Sequence, residues 1–504
     1  MRPPSPRSIS LVFVLGLTAC ASGQQDPTSG PGGSGGSGAG GAVSAGGSGG
    51  AGGMDSTGGD TGGTGGGAGG TGGAGGGIPL GGGGPCGAFP CSGDVEWVKR
   101  YGPGSAQQFS WGLGVDGLGT ATIAGSYNPT IDLGAFQLTT AGGLDMYWAK
   151  VGPDGTTVAA KSFGGSGNEL ATGVVVDRKG RSVFHGVFSG PLDFGNGPLE
   201  AQNFRMFLAL LGPDGTALWS HAFGEMVNAS SQTAAIDSDG NVIFSAGYYG
   251  DIDFGAGPVT GGAQSLTVTK FSPAGDALWS KKLAASMAHT MTVLGDGSIV
   301  LTANGLAVEP ADIGCGSPVA GRSLGRLSPD GDCLWQLPVD GPAIDGLFAE
   351  GDVLALHARI NQTATIGDTT FSVPGGKVLV ATMDPDGQFK SSFVIADEVE
   401  IEALAVDGDG GVVFEGSMKN GSAVVGDQLF TGDSFLVRLG PAGEWLWGKA
   451  FVGSADFPAA AGIGPFGHVY LYGRTIGPID FGTGVLTGGP GSPDEDVVLA
   501  KFKP

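Results

Sequence analysis

The sequence predicts an all-β fold, a seven-bladed β-propeller of four-stranded blades, and three observations predict it. Pro-Asp-Gly or Pro-Ala-Gly recurs at 153–155, 213–215, 273–275, 329–331, 385–387 and 441–443, in steps of 60, 60, 56, 56 and 56 residues. A second marker keeps pace with it: IDLG at 131–134, LDFG at 192–195, IDFG at 252–255, ADIG at 311–314, ATIG at 364–367, AVVG at 423–426 and IDFG at 479–482. Between the markers, short runs of β-branched and aromatic residues alternate with turn residues, and no helical period appears.

Each unit reads as four strands, A to D. In the second unit TGVVVD (172–177) is strand A, Arg178-Lys179-Gly180 turns the chain, and RSVFHGVF is strand B. Asp-x-x-Gly recurs at this turn as Asp116…Gly119, Asp237…Gly240 and Asp407…Gly410. Asp suits the first turn position and Gly supplies the positive φ. The long B–C connection PLDFGNGPLEAQ follows, then strand C (MFLALL), the Pro213-Asp214-Gly215 hairpin and strand D (ALWSHAF). A strands begin near Trp111, Thr172, Thr233, Thr290, Ile344, Ile401 and Ala459. The last unit has strands A, B and C but stops at Pro504, where its D strand is due. The missing strand stands at the front: in residues 94–102, Trp97 aligns with Trp219, Trp279, Trp335 and Trp447, Lys99 with Lys161, His221, Lys281 and Lys449, and Tyr101 with Phe163, Phe223 and Phe451. Joining this strand to the last blade closes the ring and covers an open edge. The fourth and fifth units depart most, having lost the A–B turn Asp, and Ser391 replaces the D-strand Trp.

Residues 1–19 read as a signal peptide: Arg2 and Arg7 precede an apolar run, Ile9 to Leu17, too short to span a bilayer. Leu17-Thr18-Ala19-Cys20 resembles the lipobox of bacterial lipoproteins. That resemblance implies a lipid on Cys20, and Ala21 in place of the retention Asp implies the outer membrane. From Cys20 to residue 84 the chain is nearly all Gly, Ser, Ala and Thr, so it is expected to be a disordered tether spanning about 45 Å r.m.s.. Residues 85–504 are the expected propeller. The units resemble the seven-bladed propeller repeats (SBBP-type) of bacterial exported proteins through LWSHAFG…AAIDSDGNVIFSAG…DFGAGP…TKFSPAG. The resemblance implies a fold and is almost silent on function.

With 24 Lys+Arg against 47 Asp+Glu, net charge −23, the surface repels nucleic acid and anionic membranes. An exported chain permits disulfides, and pairing near neighbours gives Cys86–Cys91 and Cys315–Cys333, one of three connectivities. His185, His221, His289, His357 and His468 fall in different units and at different strand positions, with no zinc spacing. GLGVDG (112–117) imitates a dinucleotide loop but lies in an A–B hairpin, and GGSGG (46–50) matches a nucleophile elbow only through low complexity. Asp132, Asp193, Asp253, Asp312 and Asp480 of the second marker form a possible calcium set, but a repeated position usually carries a repeated structural task, so they are expected to cap turns. DSDG (237–240) and DGDG (407–410) lack the remaining ligands of a calcium loop. The D-strand Trp residues are expected to pack between blades rather than to frame a quinone cofactor.

Strand direction alternates, so D–A and B–C connections emerge on one face. That face carries the inserts with Asp132, Asp193, Asp253 and Asp480, and two acidic runs, Asp397, Glu398, Glu400 and Glu402, and Asp494-Glu495-Asp496. It is the expected binding face. The expected function is a lipid-anchored, extracytoplasmic binding or scaffold module for a protein or glycan, without catalytic motif, cofactor or nucleic-acid partner. A structural envelope protein, or a propeller hydrolase or lyase using the carboxylates at 398–402, are the alternatives.

Overall fold

The structure, a computed structural model, describes residues 91–102, 107–224, 231–261, 265–286, 288, 290–305, 310–341, 343–360, 363–372, 377–395, 398–453, 460–487 and 495–504. The described strands form seven four-stranded antiparallel blades around a central channel. Blade 1 is typical: strand A is Gln107–Val115, B is Ala121–Asn128, C is Asp145–Val151 and D is Thr157–Phe163. The other inner strands are Asn168–Val176, Ser231–Ile236, Met291–Val293, Ala343–Glu350, Val399–Val406 and Ala460–Ile463. Among the described residues the only helical element is the 3-10 turn Pro465–Gly467. B and C strands are buried almost throughout, and each core cluster joins two neighbouring blades.

Val95–Tyr101 pairs antiparallel with Glu495–Phe502 and supplies strand D of blade 7, so the ring closes as expected. The seam falls inside a C–D hairpin. Lys503 N–H donates to Asp94 O at 2.8 Å, as Ser272 N–H donates to Asp276 O at 2.8 Å in blade 3. Lys503-Pro504 and Ser92-Gly93-Asp94 thus rebuild the turn that Ser272-Pro273-Ala274-Gly275-Asp276 makes without a break. Gly93 has φ 60°, and a Cβ on it would lie 2.6 Å from the Trp447 ring. Gly275, φ 92°, meets Trp219 in the same way at 2.7 Å. A positive φ and an indole overhead together explain why this turn position is glycine.

The same contact recurs at six of the seven junctions: the D-strand Trp position of one blade covers the C–D turn glycine of the next. Trp97, Trp279 and Trp335 also donate to the carbonyls of Pro153, Pro329 and Pro385 at 2.8, 3.3 and 2.9 Å. Blade 1 has Ala159 at this position, and Trp148 from strand C covers Gly215 instead. Ser391 leaves the contact to Gly443 light, at 3.5 Å.

All seven D strands carry a β-bulge at the residue before the Trp position: Glu96, Val158, Leu218, Leu278, Leu334, Lys390 and Leu446. A bulge in the outermost strand bends it and spoils it as a template for further pairing. The half-exposed Val158, Leu218, Leu278 and Leu334 are these bulged residues.

Each B–C insert folds back on the preceding blade. Asp193 bridges Gly164, Asp312 bridges Ala284, Ile366 and Thr365 pair with Val339 and Asp340, and Asp480 and Ile479 pair with Val452 and Gly453. At the seam, Gly102 N–H donates to Asp132 O at 2.9 Å. The marker alternates, with Leu192 and Phe194 buried on either side of outward-facing Asp193.

Candidate functional site

The expected binding face is built from these inserts. Asp132 Oδ1 accepts from Gly134 N–H at 2.8 Å, and Asp193, Asp253, Asp312 and Asp480 each accept from two amides, at +2 and +4, between 2.7 and 3.2 Å. They cap turns. The marker loses its Asp where the turn shortens: Ile366–Thr369 and Val425–Gln428 are closed by two residues, Gly367-Asp368 and Gly426-Asp427. DSDG and DGDG are likewise committed to A–B turns, and Asp237 Oδ2 also pairs with Lys270 at 3.0 Å.

The carboxylates at 398–402 do not converge. Glu398 pairs with Lys377 at 3.6 Å, Glu400 with Lys419 at 2.9 Å, and Glu402 is a bulged residue on the channel wall. Cys315–Cys333 is a disulfide, fastening the blade 4 insert to that blade's own D strand. Cys91 is also disulfide-bonded. Cys20, Cys86, His289, Asp397 and Asp494 lie outside the described residues. Among the described residues no three His, Cys, Asp or Glu side chains gather to hold a metal ion.

Two histidines correct the expectation of scattered positions. His185 and His357 occupy equivalent places in strand B, each beneath a bulged A strand: a Cβ on Gly173 or Gly346 would lie 2.5 or 2.3 Å from the imidazole Nε2. Burial pushes both imidazoles down to about 4. A repeat alignment by strand rather than by turn would place FHG and LHA in register.

The channel is a cavity of about 400 Å3 walled by all seven A strands, whose apolar lining includes Leu113, Val175, Ala235, Met291, Leu347, Ala405 and Ile463. Arg178, in the A–B turn of blade 2, reaches Glu350 of blade 5, Nε to Oε1, at 2.7 Å. This ion pair bars the channel where it meets the A–B turns. Burial holds the Glu350 carboxyl above its ordinary value, against the pull of the guanidinium.

Beside that bar, on the face opposite the inserts, lie two of the most exposed large apolar side chains, Leu118 at 82% and Phe466 at 66%. They sit on the A–B turns of neighbouring blades 1 and 7. The turns touch: a Cβ on Gly119 would lie 3.6 Å from Pro465, and Tyr470 OH donates to Gly119 O at 2.9 Å. Phe466 has φ 62°, the single positive φ outside glycine among the described residues. Its turn is braced by His468, which contacts Pro465 O at 3.1 Å and Glu96 Oε1 at 3.0 Å. A bulky residue kept left-handed and exposed is a common mark of a functional position. A strand pattern does not reveal this one, because the sequence around Phe466 reads only as an A–B turn. The insert face has a polar pocket of about 280 Å3 between blades 4 and 5, lined by Thr302, Asn304, Arg322, Ser323, Asp345 and Arg359.

No family model matches the chain, and no curated protein does. Similar solved structures include a protein of unknown function from Bacteroides caccae (11% identity, TM-score 0.31, covering 60% of this chain and 89% of that one). The C-terminal WD40 domain of Sif2 is similar at 10% identity and TM-score 0.36, covering 80% of this chain and 99% of that one. Kuenenia stuttgartiensis hydrazine synthase is similar at 8% identity and TM-score 0.38, covering 76% of this chain and 95% of that one. At these TM-scores the likenesses carry no argument; the propeller stands on its own strand pairing.

Proposed function

We propose that the chain is a non-catalytic binding module, held at the bacterial cell envelope by a lipid on Cys20 and a glycine-rich tether, that engages a protein partner with its A–B face. The observation that carries this reading is the pair Leu118 and Phe466, apolar, adjacent and exposed on a rigid ring, with Phe466 in a backbone conformation that phenylalanine rarely adopts. Exposed aromatic and aliphatic anchors on braced turns suit a protein surface better than a small solute. The polar pocket between blades 4 and 5 favours a second reading, in which the insert face binds a glycan through Arg322, Asn304 and Asp345.

A photo-crosslinker placed at Leu118 or Phe466 in living cells tests the first reading. A discrete protein adduct is expected from these positions and not from Leu278 on the outer rim. Equal labelling from all three sites, or an adduct at position 118 that survives Phe466→Asp, would refute it. Cys20→Ser should move the protein from the membrane fraction to the soluble one; continued membrane fractionation would remove the anchor from the proposal.

A further inference from the structure

We infer that the junction between blades 1 and 2 binds a hard divalent cation, calcium, between the carboxylates of Asp145 and Glu169. Asp145 opens strand C of blade 1 and Glu169 is the second residue of strand A of blade 2. Both are sealed from solvent, at 1% and 0% exposure. Asp145 Oδ2 accepts from Ala141 N–H at 2.8 Å, and Glu169 Oε2 from Gly165 N–H at 3.3 Å. The other oxygen of each, Asp145 Oδ1 and Glu169 Oε1, is buried without a hydrogen-bond partner. Both orphaned oxygens face one loop, Gly164 to Gly167. A Cβ on Gly164 would lie 2.4 Å from Asp145 Oδ1, and one on Gly167 3.3 Å from Glu169 Oε1. The glycines let the loop backbone pack directly against the carboxylates, and at Gly167 the Ser189 carbonyl oxygen, 1.6 Å from where a Cβ would stand, comes close as well. Burial raises both carboxyls, and the neighbouring Asp145 helps push Glu169 up to about 7.

The ring supplies its own comparison. Strand pairing aligns Asp145 with Asp496, Ser162 with Arg100, and Glu169 with Gln108. At the junction of blades 7 and 1, Arg100 Nε donates to Asp496 Oδ2 at 2.6 Å and Gln108 is neutral. At the next junction Ser162, whose hydroxyl contacts Tyr127 OH at 2.6 Å and also hydrogen-bonds the Asp145 carboxyl, stands where the arginine was, and a glutamate stands where the glutamine was. Side-chain charge at the three positions falls from zero to −2 with both carboxylates ionised. Two buried carboxylates without a cation are held at a large electrostatic penalty. A divalent ion offsets that charge and gives the orphaned oxygens a partner. Backbone carbonyls and water complete an irregular oxygen shell, which calcium accepts and magnesium, with its strict octahedron, does not.

The test is calcium titration of the purified full chain after chelation, by calorimetry and by thermal unfolding. One site is expected, with a Kd of about 0.1–1 mM, the range of extracellular modules. Unfolding should rise in temperature on adding roughly 5 mM CaCl2, by mass action on the folded state, and should respond much less to MgCl2. Glu169→Gln, the residue found at the aligned position 108, should fold and weaken calcium binding at least about tenfold; Asp145→Asn is a second, independent variant. Ser162→Arg with Glu169→Gln rebuilds the neighbouring junction and should unfold near the calcium-loaded parent, with no response to the ion. An unresponsive parent, an equal response in Glu169→Gln, or an equal response to magnesium would overturn the proposal. Stability that instead rises as pH falls from about 8 to 6 without any calcium effect would assign the pair a shared proton, and the ion site would be wrong.

Discussion

His185 and His357 each lower the stability of the fold in acid. Each imidazole is neutral because burial favours the uncharged ring; Thr172 Oγ1 lies 3.0 Å from His185 Nδ1, while Asp345 and Arg359 act on His357 in opposite senses. An unfolded histidine takes up its proton near pH 6.5, and these two near 4. Between those values the unfolded chain binds protons that the folded one refuses. Stability is therefore full above pH 6.5 and is lost as pH falls toward 4, by about 3 kcal/mol for each histidine. Urea midpoints should drop between pH 7 and 5, and His357→Gln should flatten that drop. At the other exceptional residue, Phe466→Gly removes a left-handed strain of about 1 kcal/mol or more. Its urea midpoint should stay level or rise even as the proposed adduct is lost; a clear fall would mean that Phe466 is there for packing.

At the scale of elements, the inserts are braces. Their turns are fastened by Asp caps, their edges by the preceding D strand, and one by a disulfide. The Cys315–Cys333 loop of 18 residues makes the bridge worth about 3 kcal/mol through the unfolded chain. Replacing both cysteines with Ala should lower the free energy of unfolding by that order under oxidising conditions, and reduction of the parent should reproduce the loss. Asp253→Ala removes the acceptor for the Gly255 and Gly257 amides and should cost about 1 kcal/mol. The Asp-Gly rhythm of these inserts is legible in the sequence. The reason it breaks at Thr365 and Val424 is not, because turn length is set by register across the hairpin. The D-strand bulges are hidden for a similar reason: a bulge is a relation between two strands, and the single strand ALWSHAF reads as unbroken alternation.

For the whole molecule, the decisive contacts run between blades about one repeat apart. The seam in blade 7 is a broken copy of the other C–D turns, with Ser92 N–H donating to Pro504 O at 2.7 Å. A circular permutant that joins Pro504 to Ser92 and opens the chain between Pro273 and Ala274 should therefore fold cooperatively, with a far-ultraviolet spectrum like the parent's. Deleting residues 94–102 strips strand D from blade 7 and should bring aggregation or a much lower melting temperature; an unchanged melt would argue against closure. The Arg178–Glu350 bar spans the channel, but its guanidinium side is 64% exposed. Arg178→Ala should shift stability by less than about 1 kcal/mol.

By itself, the sequence determined the number of blades, the order of their strands, the Trp packing and the displaced closing strand. Period, turn chemistry and strand alternation are local, and they repeat often enough here for each copy to check the others. Only the tertiary structure decided what happens between copies. It placed two histidines in equivalent buried sites, moved the task of the missing indole in blade 1 to Trp148, turned the inserts into braces, put Phe466 and Leu118 side by side, and left Asp145 and Glu169 together without the arginine that their neighbours have. Each of these depends on which side chain of one blade meets which backbone of another, and no local pattern encodes that meeting.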